Sequence, residues 1–399
     1  MAVLRKWNGK GNRLLAGMMG AFVTLCFVLS NPMRCKAQIE LTAPSAILIE
    51  RSTGTVIYEK NADEKRSPAS ITKIMTLLLT FEQIHAGKAN LQEDVLVSER
   101  AASMGGSQVY LAQGEIQTLD TMIKCIAVAS GNDASVAVAE HIAGSEEAFV
   151  KMMNDKAAAL GMTGTHFQDC CGLSDSENHY TTARDVAIMS RELITEYPEV
   201  FDYTKIWMED VTHVTNKGSS TFTLSSTNKL LKRYAYCTGL KTGSTQKAKY
   251  CISATASKDG IDLIAVVMGA PDPKARFSEA QTLLTYGYAS CRLYEDQEPL
   301  KPTQILIKNA LEKEIAIEAD GIFSYLDLES IDFYAIEKAL ELPEVVQAPV
   351  AAGELAGYVV YSYQGAELGR VPIRYQTSVE RAGFGSYLLY AFQSLLFQQ

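Results

Sequence analysis

Five histidines are all that this chain of 399 residues contains, and none begins a His-x-x-x-His pair. The eight cysteines show no zinc-ligand spacing either, since Cys170 and Cys171 are adjacent and the rest are scattered. No metal site and no cofactor are expected. Positive charge is also in short supply: 37 Lys and Arg face 46 Asp and Glu, for a net charge of -9. A chain this acidic is a poor partner for nucleic acid. No apolar run reaches the ~20 residues that a membrane span needs. There is no repeat and no low-complexity stretch. What remains is 47% hydrophobic and 21% charged, a composition that supports a full core and two or three domains.

The N-terminus carries an export signature. Arg5, Lys6, Lys10 and Arg13 precede an apolar run from Leu14 to Leu29, and Ala37 offers a cut before Gln38. A cleaved signal peptide over residues 1–37 is expected, with an uncleaved anchor as the alternative. Its removal takes away six basic and no acidic residues, moving the net charge from -9 to -15. Export permits disulfides. The six remaining cysteines, Cys125, Cys170, Cys171, Cys237, Cys251 and Cys291, nevertheless do not form a disulfide framework pattern.

Along the chain, Ser45 to Tyr58 alternates around Ser52-Thr-Gly54, a hairpin signal. Ser67 is placed as an N-cap and Pro68 as the first helical residue. Ile71, Ile74, Met75, Leu78 and Leu79 then recur at helical spacing to about His85. Thr118 caps a helix that breaks at Ser130-Gly-Asn132 and resumes from Asp133 to Ala143. Further helices are expected over 146–160 and 182–197, the latter capped by Thr181 or Thr182. Val211 to Ser225 reads as strand or loop. Lys241-Thr-Gly243 opens an antiparallel sheet whose inner strands, Cys251–Thr255 and Ile261–Met268, are joined through Lys258-Asp-Gly260. Arg276 starts a covering helix to about Tyr288. Residues 292–302 read as a linker. Beyond them, alternation at Ile305–Ile307, Glu314–Glu318, Gly357–Tyr363 and Leu368–Ile373 indicates a small β domain. Phe384 to Gln399 has no charged residue and many aromatic ones, which fits an interfacial membrane helix, with a helix docked on the β domain as the alternative. The expected division is 1–37 signal, 38–295 catalytic domain, 296–377 β domain and 378–399 membrane-associating helix.

Ser70 and Lys73 stand three apart at a helix start, so their side chains share a face. A serine needs a neighbouring base to attack, and a lysine serves if its surroundings depress its pKa. Alone the pair means little, because Ser226/Lys229 and Ser244/Lys247 have the same spacing. Ser130/Asn132 reads alone as a turn, and Lys241-Thr242-Gly243 as an exposed edge strand. Together, Ser-x-x-Lys, Ser-x-Asn and Lys-Thr-Gly in this order form the motif set of β-lactamases and penicillin-binding proteins.

On these residues the chain resembles the low-molecular-mass penicillin-binding proteins, specifically the serine-type D-alanyl-D-alanine carboxypeptidases. Ser67-Pro-Ala-Ser-Ile-Thr-Lys-Ile-Met-Thr76, Ser130-Gly-Asn-Asp-Ala134, His179-Tyr-Thr-Thr182, Gly239-Leu-Lys-Thr-Gly-Ser-Thr245 and Leu263 to Pro271 followed by Arg276-Phe carry the likeness over residues 40–290. The resemblance implies an α/β (α+β) β-lactamase/transpeptidase-like catalytic domain. Its antiparallel sheet is flanked by helices and joined to a helical subdomain, and a small β domain and terminal amphipathic helix follow. It implies that Ser70 attacks the bond between two terminal D-alanines of a peptidoglycan stem peptide and forms an acyl-enzyme. Lys73 accepts the proton, helped by the positive potential of Lys241. Ser130 relays a proton to the leaving amine, and Asn132 holds the substrate amide. Backbone N–H groups of Ser70 and Ser244, approached closely through Gly243, form the oxyanion hole, and Thr242 and Arg276 grip the terminal carboxylate. β-Lactams become slow-clearing substrates. The implied location is the outer face of the cytoplasmic membrane.

The Asp169-Cys-Cys-Gly-Leu173 loop departs from the family wording, and Cys237 lies four residues before Lys241. Packed, inert thiols are the plain reading, with altered substrate fit or redox sensitivity as the other. Three alternative functions share the motifs. A class A-like β-lactamase would add a Glu-x-x-Leu-Asn stretch, which is not found after Ser130. A D,D-endopeptidase would use the same residues on cross-links. A non-catalytic wall-binding scaffold would not need Ser70, Lys73, Ser130, Asn132 and Lys241 together.

Overall fold

Three hairpins build the central sheet. In the computed structural model, which describes residues 39–215 and 218–396, strands β1 (Ser45–Glu50) and β2 (Val56–Lys60) pair antiparallel across Ser52-Thr-Gly54. The expected signal peptide lies outside the described residues, as do Phe397 to Gln399. A short ladder follows, β3 (Asp94–Leu96) with β4 (Ile116–Thr118). Residues 211–225, open between strand and loop, form a hairpin of β5 (Met208–Thr215) and β6 (Gly218–Ser225). Then come β7 (Cys237–Thr245), β8 (Lys249–Lys258) and β9 (Ile261–Ala270). Asp259 (φ 52°) and Gly260 (φ 77°) turn β8 into β9. Two successive positive φ values match the strand twist, which is why Asp-Gly marks such hairpins. The sheet order is β2-β1-β9-β8-β7, which leaves β7 on an edge.

Helices cover both faces of this sheet. Ile47, Ile49, Ile264 and Val266 join the main core with Val186, Met189 and Leu193 of the helix Ala183–Glu196. Leu48 and Leu263 point the other way, against Gly287 of the helix Pro273–Ser290. That helix begins three residues before the expected Arg276. Asp272 caps it by accepting from Lys274 N and Ala275 N, and Pro273 fills its first position, where no N–H is needed.

The helix at the centre of the main core, α1 (Lys73–His85), is buried continuously from Lys73 to Phe81. A helix apolar on all sides must be surrounded. A short helix, α2 (Glu99–Ala102), packs on α4 (Asn132–Ala143), while the neighbours of α1 are α3 (Leu119–Ala127), α4 and α5 (Glu146–Ala159), together with the helix Ala183–Glu196. Thr118, Ser145 and Thr182 cap their helices by accepting from Thr121, Ala148 and Asp185 N–H groups. Ser67 does not cap α1. The chain enters through a 3-10 turn, Ala69–Thr72, and the Ser67 hydroxyl is buried without a hydrogen-bond partner.

A second core gathers around Ile305, Ile315, Ile317, Val359, Tyr361, Val371 and Ile373. Its six-stranded sheet runs β14-β16-β17-β12-β11-β15: β11 (Gln304–Lys308), β12 (Glu314–Ala319), β14 (Ile336–Glu341), β15 (Val345–Gln347), β16 (Leu355–Tyr363) and β17 (Ala366–Tyr375). The expected linker holds a strand, β10 (Arg292–Glu295), paired with β13 (Ser324–Asp327). Helix Phe384–Leu396 closes the chain, and Tyr387 donates to the Ala310 carbonyl at 3.0 Å. No helix among the described residues is long and apolar enough to cross a membrane.

Candidate active site

The 3-10 turn that displaces the expected cap also aims Ser70. Ala69 has a φ of 48°, left-handed for a residue with a side chain, and Ser130 has 62°. Such conformations persist only where surrounding contacts hold them. For Ala69 the contacts are visible. Its carbonyl accepts from the Thr72 hydroxyl at 2.9 Å, and that hydroxyl meets His179 Nε2 at 3.0 Å. His179 Nδ1 accepts from the Gln168 N–H at 2.9 Å, so Nε2 carries the proton and donates to Thr72. Burial lowers the pKa of His179 and favours this neutral form. Gly172 presses on the same turn: a Cβ there would lie 1.8 Å from the Ala69 carbonyl oxygen, and its φ is 79°. Glycine alone fits.

Lys73, the first residue of α1, is fully buried and reaches three oxygens. Its ammonium donates to Ser70 Oγ at 3.0 Å, Asn132 Oδ1 at 2.6 Å and the Cys171 carbonyl at 2.7 Å. Burial is the main force holding its pKa below the ordinary lysine range, against the opposing pull of the surrounding acidic groups, Asp169 and Asp133 among them. Lys241 is also fully buried. It donates to Ser130 Oγ at 2.8 Å and to the Thr242 carbonyl at 3.0 Å. Burial first, then the like charges of Lys73 and Arg276, puts its pKa well below the ordinary range. The expectation that Lys241 depresses Lys73 is therefore reordered: desolvation leads, and the mutual repulsion shows on Lys241.

Asn132 Nδ2 donates to the Gly105 carbonyl at 2.7 Å, which fixes its amide so that the oxygen faces Lys73. Thr242 Oγ1 donates to Thr227 Oγ1 at 2.7 Å. Ser244 is exposed at the mouth. Gly243 explains why β7 sits where it does. A Cβ at this position would lie 2.9 Å from Ile71 N and 3.0 Å from both Ser70 N and the Pro68 carbonyl. Only a residue without a side chain lets the strand approach the Ser70 N–H this closely. Arg276 backs that strand: Nη1 donates to the Gly243 carbonyl at 3.1 Å and the Cys251 carbonyl at 3.4 Å, while buried Nε has no partner. Its charge thus lies behind the strand that carries Thr242.

Several site residues escape motif reading. Asp133 accepts from Val109 N, Leu111 N and Ala134 N, fixing the segment that supplies the Ser107 carbonyl to Asn132 N. Asp169 accepts from Cys171 N at 2.8 Å, Gly172 N and Ser174 N at 2.7 Å. Burial pushes its pKa up, but these backbone N–H donors, together with His179 when that ring is protonated, outweigh burial and leave it low. The only sequence signal was an acid beside each quoted motif, which does not separate a loop brace from a solvated charge.

Comparison with known proteins bears on this arrangement. The family model for D-alanyl-D-alanine carboxypeptidases matches residues 31–272. The D-alanyl-D-alanine carboxypeptidase DacF of Bacillus subtilis is 38% identical over 94% of this chain and 95% of its own length. DacC of Escherichia coli is 31% identical over 89% and 90%. Among solved structures, penicillin binding protein 5 from Haemophilus influenzae superposes with a TM-score of 0.73 at 28% identity, covering 86% of this chain and 99% of that one. The fold is that of the penicillin-binding proteins, and the family is one of serine peptidases. The chain belongs to the D-alanyl-D-alanine carboxypeptidase family.

Proposed function

We propose that this protein removes the terminal D-alanine from peptidoglycan stem peptides through an acyl-enzyme on Ser70. The observation that carries this reading is the pair of contacts Lys73 Nζ–Ser70 Oγ and Lys241 Nζ–Ser130 Oγ, two buried lysines each holding one hydroxyl. In its neutral form Lys73 takes the Ser70 proton as Oγ attacks the carbonyl between the two D-alanines. The oxyanion forms beside the N–H groups of Ser70 and Ser244, each such donor being worth ~3–4 kcal/mol. Ser130, polarised by Lys241, passes a proton to the departing D-alanine nitrogen. Asn132 orients the substrate amide. Thr242 and the positive charge of Arg276 receive the terminal carboxylate. Water then cleaves the ester, and β-lactams enter the same path and stall there.

The nearest loop carboxylate favours this over β-lactamase action. Asp169 braces its own loop by accepting from three backbone N–H groups, rather than standing as a free base for a deacylating water. Incubation with a diacetylated Lys-D-Ala-D-Ala tripeptide should release free D-alanine, while a bound penicillin persists far longer than a second. Rapid clearance of penicillin without D-alanine release would make the β-lactamase reading correct.

Gly243→Ala tests the oxyanion geometry. The added methyl meets only backbone atoms, so the strand must retreat. The second-order rate of acylation by a fluorescent penicillin should fall by about 10²–10³-fold, the scale of one lost oxyanion donor. An unchanged rate in a folded variant would remove the Ser244 N–H from the account.

Residues 38–295 carry this chemistry, the signal over residues 1–37 exports it, and the terminal helix within 378–399 attaches it peripherally to the outer face of the cytoplasmic membrane. Phe384, Leu388, Leu389, Tyr390 and Phe392 of the terminal helix are exposed, and the segment has no charge. Such a surface suits the interfacial zone of a bilayer. Full-length protein should co-sediment with phospholipid vesicles, and a chain ending at Arg381 should not. Equal binding by both would return the helix to a docked role.

A further inference from the structure

We infer that Cys170 and Cys171 form a thiol pair that a small disulfide can close into a Cys170–Cys171 disulfide, switching off the serine–lysine site. Its activity readout rests on the function proposed above. Nothing in the acylation chemistry uses these sulfurs. Both residues are free thiols, both are fully buried and they are adjacent in sequence, with Cys170 Sγ 3.6 Å from Glu146 Oε1. The remaining thiols among the described residues, Cys125, Cys237, Cys251 and Cys291, have no cysteine beside them in sequence.

The backbone of this pair holds the catalytic helix. The Cys170 carbonyl accepts from Thr76 Oγ1 at 2.5 Å, and the Cys171 carbonyl accepts from Lys73 Nζ at 2.7 Å. Both donors lie on the first turn of α1. Consecutive Cα atoms are ~3.8 Å apart, whereas disulfides prefer ~4.4–6.8 Å. Closing the ring therefore twists the Cys170–Cys171 peptide, which is part of the ring. The Cys170 carbonyl belongs to that peptide, and the Cys171 carbonyl follows its rotation. Gly172 cannot absorb the movement, since it is packed on the Ala69 carbonyl. Lys73 then loses an acceptor and its alignment on Ser70. The strain also makes such a bond easily reduced, so the change reverses.

Access comes from the Cys171 side. Cys171 lines a cavity of about 280 Å³ with Arg100, Met104, Gly105, Leu173 and Ser174, beside the Gly105 carbonyl that holds Asn132. The chemistry balances with a small disulfide as oxidant. The Cys171 thiolate attacks one sulfur and expels one thiolate. Cys170 Sγ, giving its proton to the departed thiolate, then attacks Cys171 Sγ and expels the second. The cysteine pair loses two electrons and two protons, and the disulfide becomes two thiols.

The test treats full-length, fully reduced protein with oxidised glutathione. After tryptic cleavage the peptide Ala157–Arg184, whose only cysteines are this pair, should be lighter by two hydrogen atoms and resist alkylation. The rate of acylation by fluorescent penicillin should fall by about 100-fold, the scale of a ~1 Å misplacement of a reacting group. Dithiothreitol should restore both. In Cys170→Ala/Cys171→Ala the ratio of treated to untreated rate should be one, each rate referred to that variant. As a second probe that needs no variant, phenylarsine oxide should bridge the wild-type pair with loss of water, lower the same rate, and be released by a dithiol but not by a monothiol. A pair that stays reduced and unbridged overturns the proposal, as does closure without loss of acylation, or equal loss in the double variant. Reduced protein that never acylates would instead overturn the proposed function, since the peptide mass reads the thiol pair independently.

Discussion

Ser70→Ala should lower acylation by penicillin and release of D-alanine by about 10⁶-fold, to background. The magnitude is that of removing the nucleophile from a serine hydrolase whose remaining groups act as a unit. The variant should fold, because Ser70 is only half-buried and its Oγ is held by a single donor, Lys73. Its melting temperature therefore separates loss of chemistry from loss of structure. The neighbouring hydroxyls cannot substitute. Ser130 Oγ is held by Lys241 rather than Lys73, and Ser67 Oγ is buried without a base. D-Alanine release that persists in Ser70→Ala would sink the nucleophile assignment, whatever the family.

Lys73→Met should be nearly as severe, at about 10⁴-fold or more, because a serine hydroxyl without its base is a weak nucleophile. The pH dependence carries more information than the size of the loss. A base must be neutral to accept a proton. Burial lowers the pKa of Lys73, so the neutral fraction at a given pH exceeds that of an exposed lysine. The rate of acylation at low penicillin concentration reports the free enzyme. It should rise with pH through the Lys73 titration and fall as pH drops below it, with a midpoint under the ordinary ~10.4. Lys73→Met should flatten this acid limb. A midpoint at the ordinary lysine value, or a limb unchanged in the variant, would assign the proton to another group.

The sequence-to-structure comparison divides along a physical line. Features set by local stereochemistry were legible. Asp259-Gly260 demands positive φ twice and so announces its hairpin. Ser70 and Lys73 lie three apart, and the helical register that makes them neighbours is short-range. The set of three motifs picked out residues that the fold brings together, because their order constrains elements far apart in the chain. What depended on non-local contacts was not legible. Ser67 looked like a cap, yet the turn over Ala69–Thr72 is shaped by Gly172 and His179, about 100 residues downstream. Asp133 and Asp169 hold loops through backbone N–H groups, and only the folded loop shows which ones. In the second core, β13, β14 and β15 are short or weakly alternating, and β15 pairs in parallel with β11, a partner almost 40 residues earlier. The Pro273 helix starts ahead of its apolar periodicity because Asp272-Pro273 supplies a cap and a first turn.

The most direct test of the account is where the acyl group goes. Wild-type protein saturated with benzylpenicillin, quenched and cut with trypsin yields the peptide Ser67–Lys73, which holds Ser67, Ser70 and Thr72. The account predicts that this peptide alone gains the penicilloyl mass and that fragmentation places it on Ser70. A penicilloyl group on Ser67, Ser130 or Ser244, or no covalent adduct at all, would contradict it.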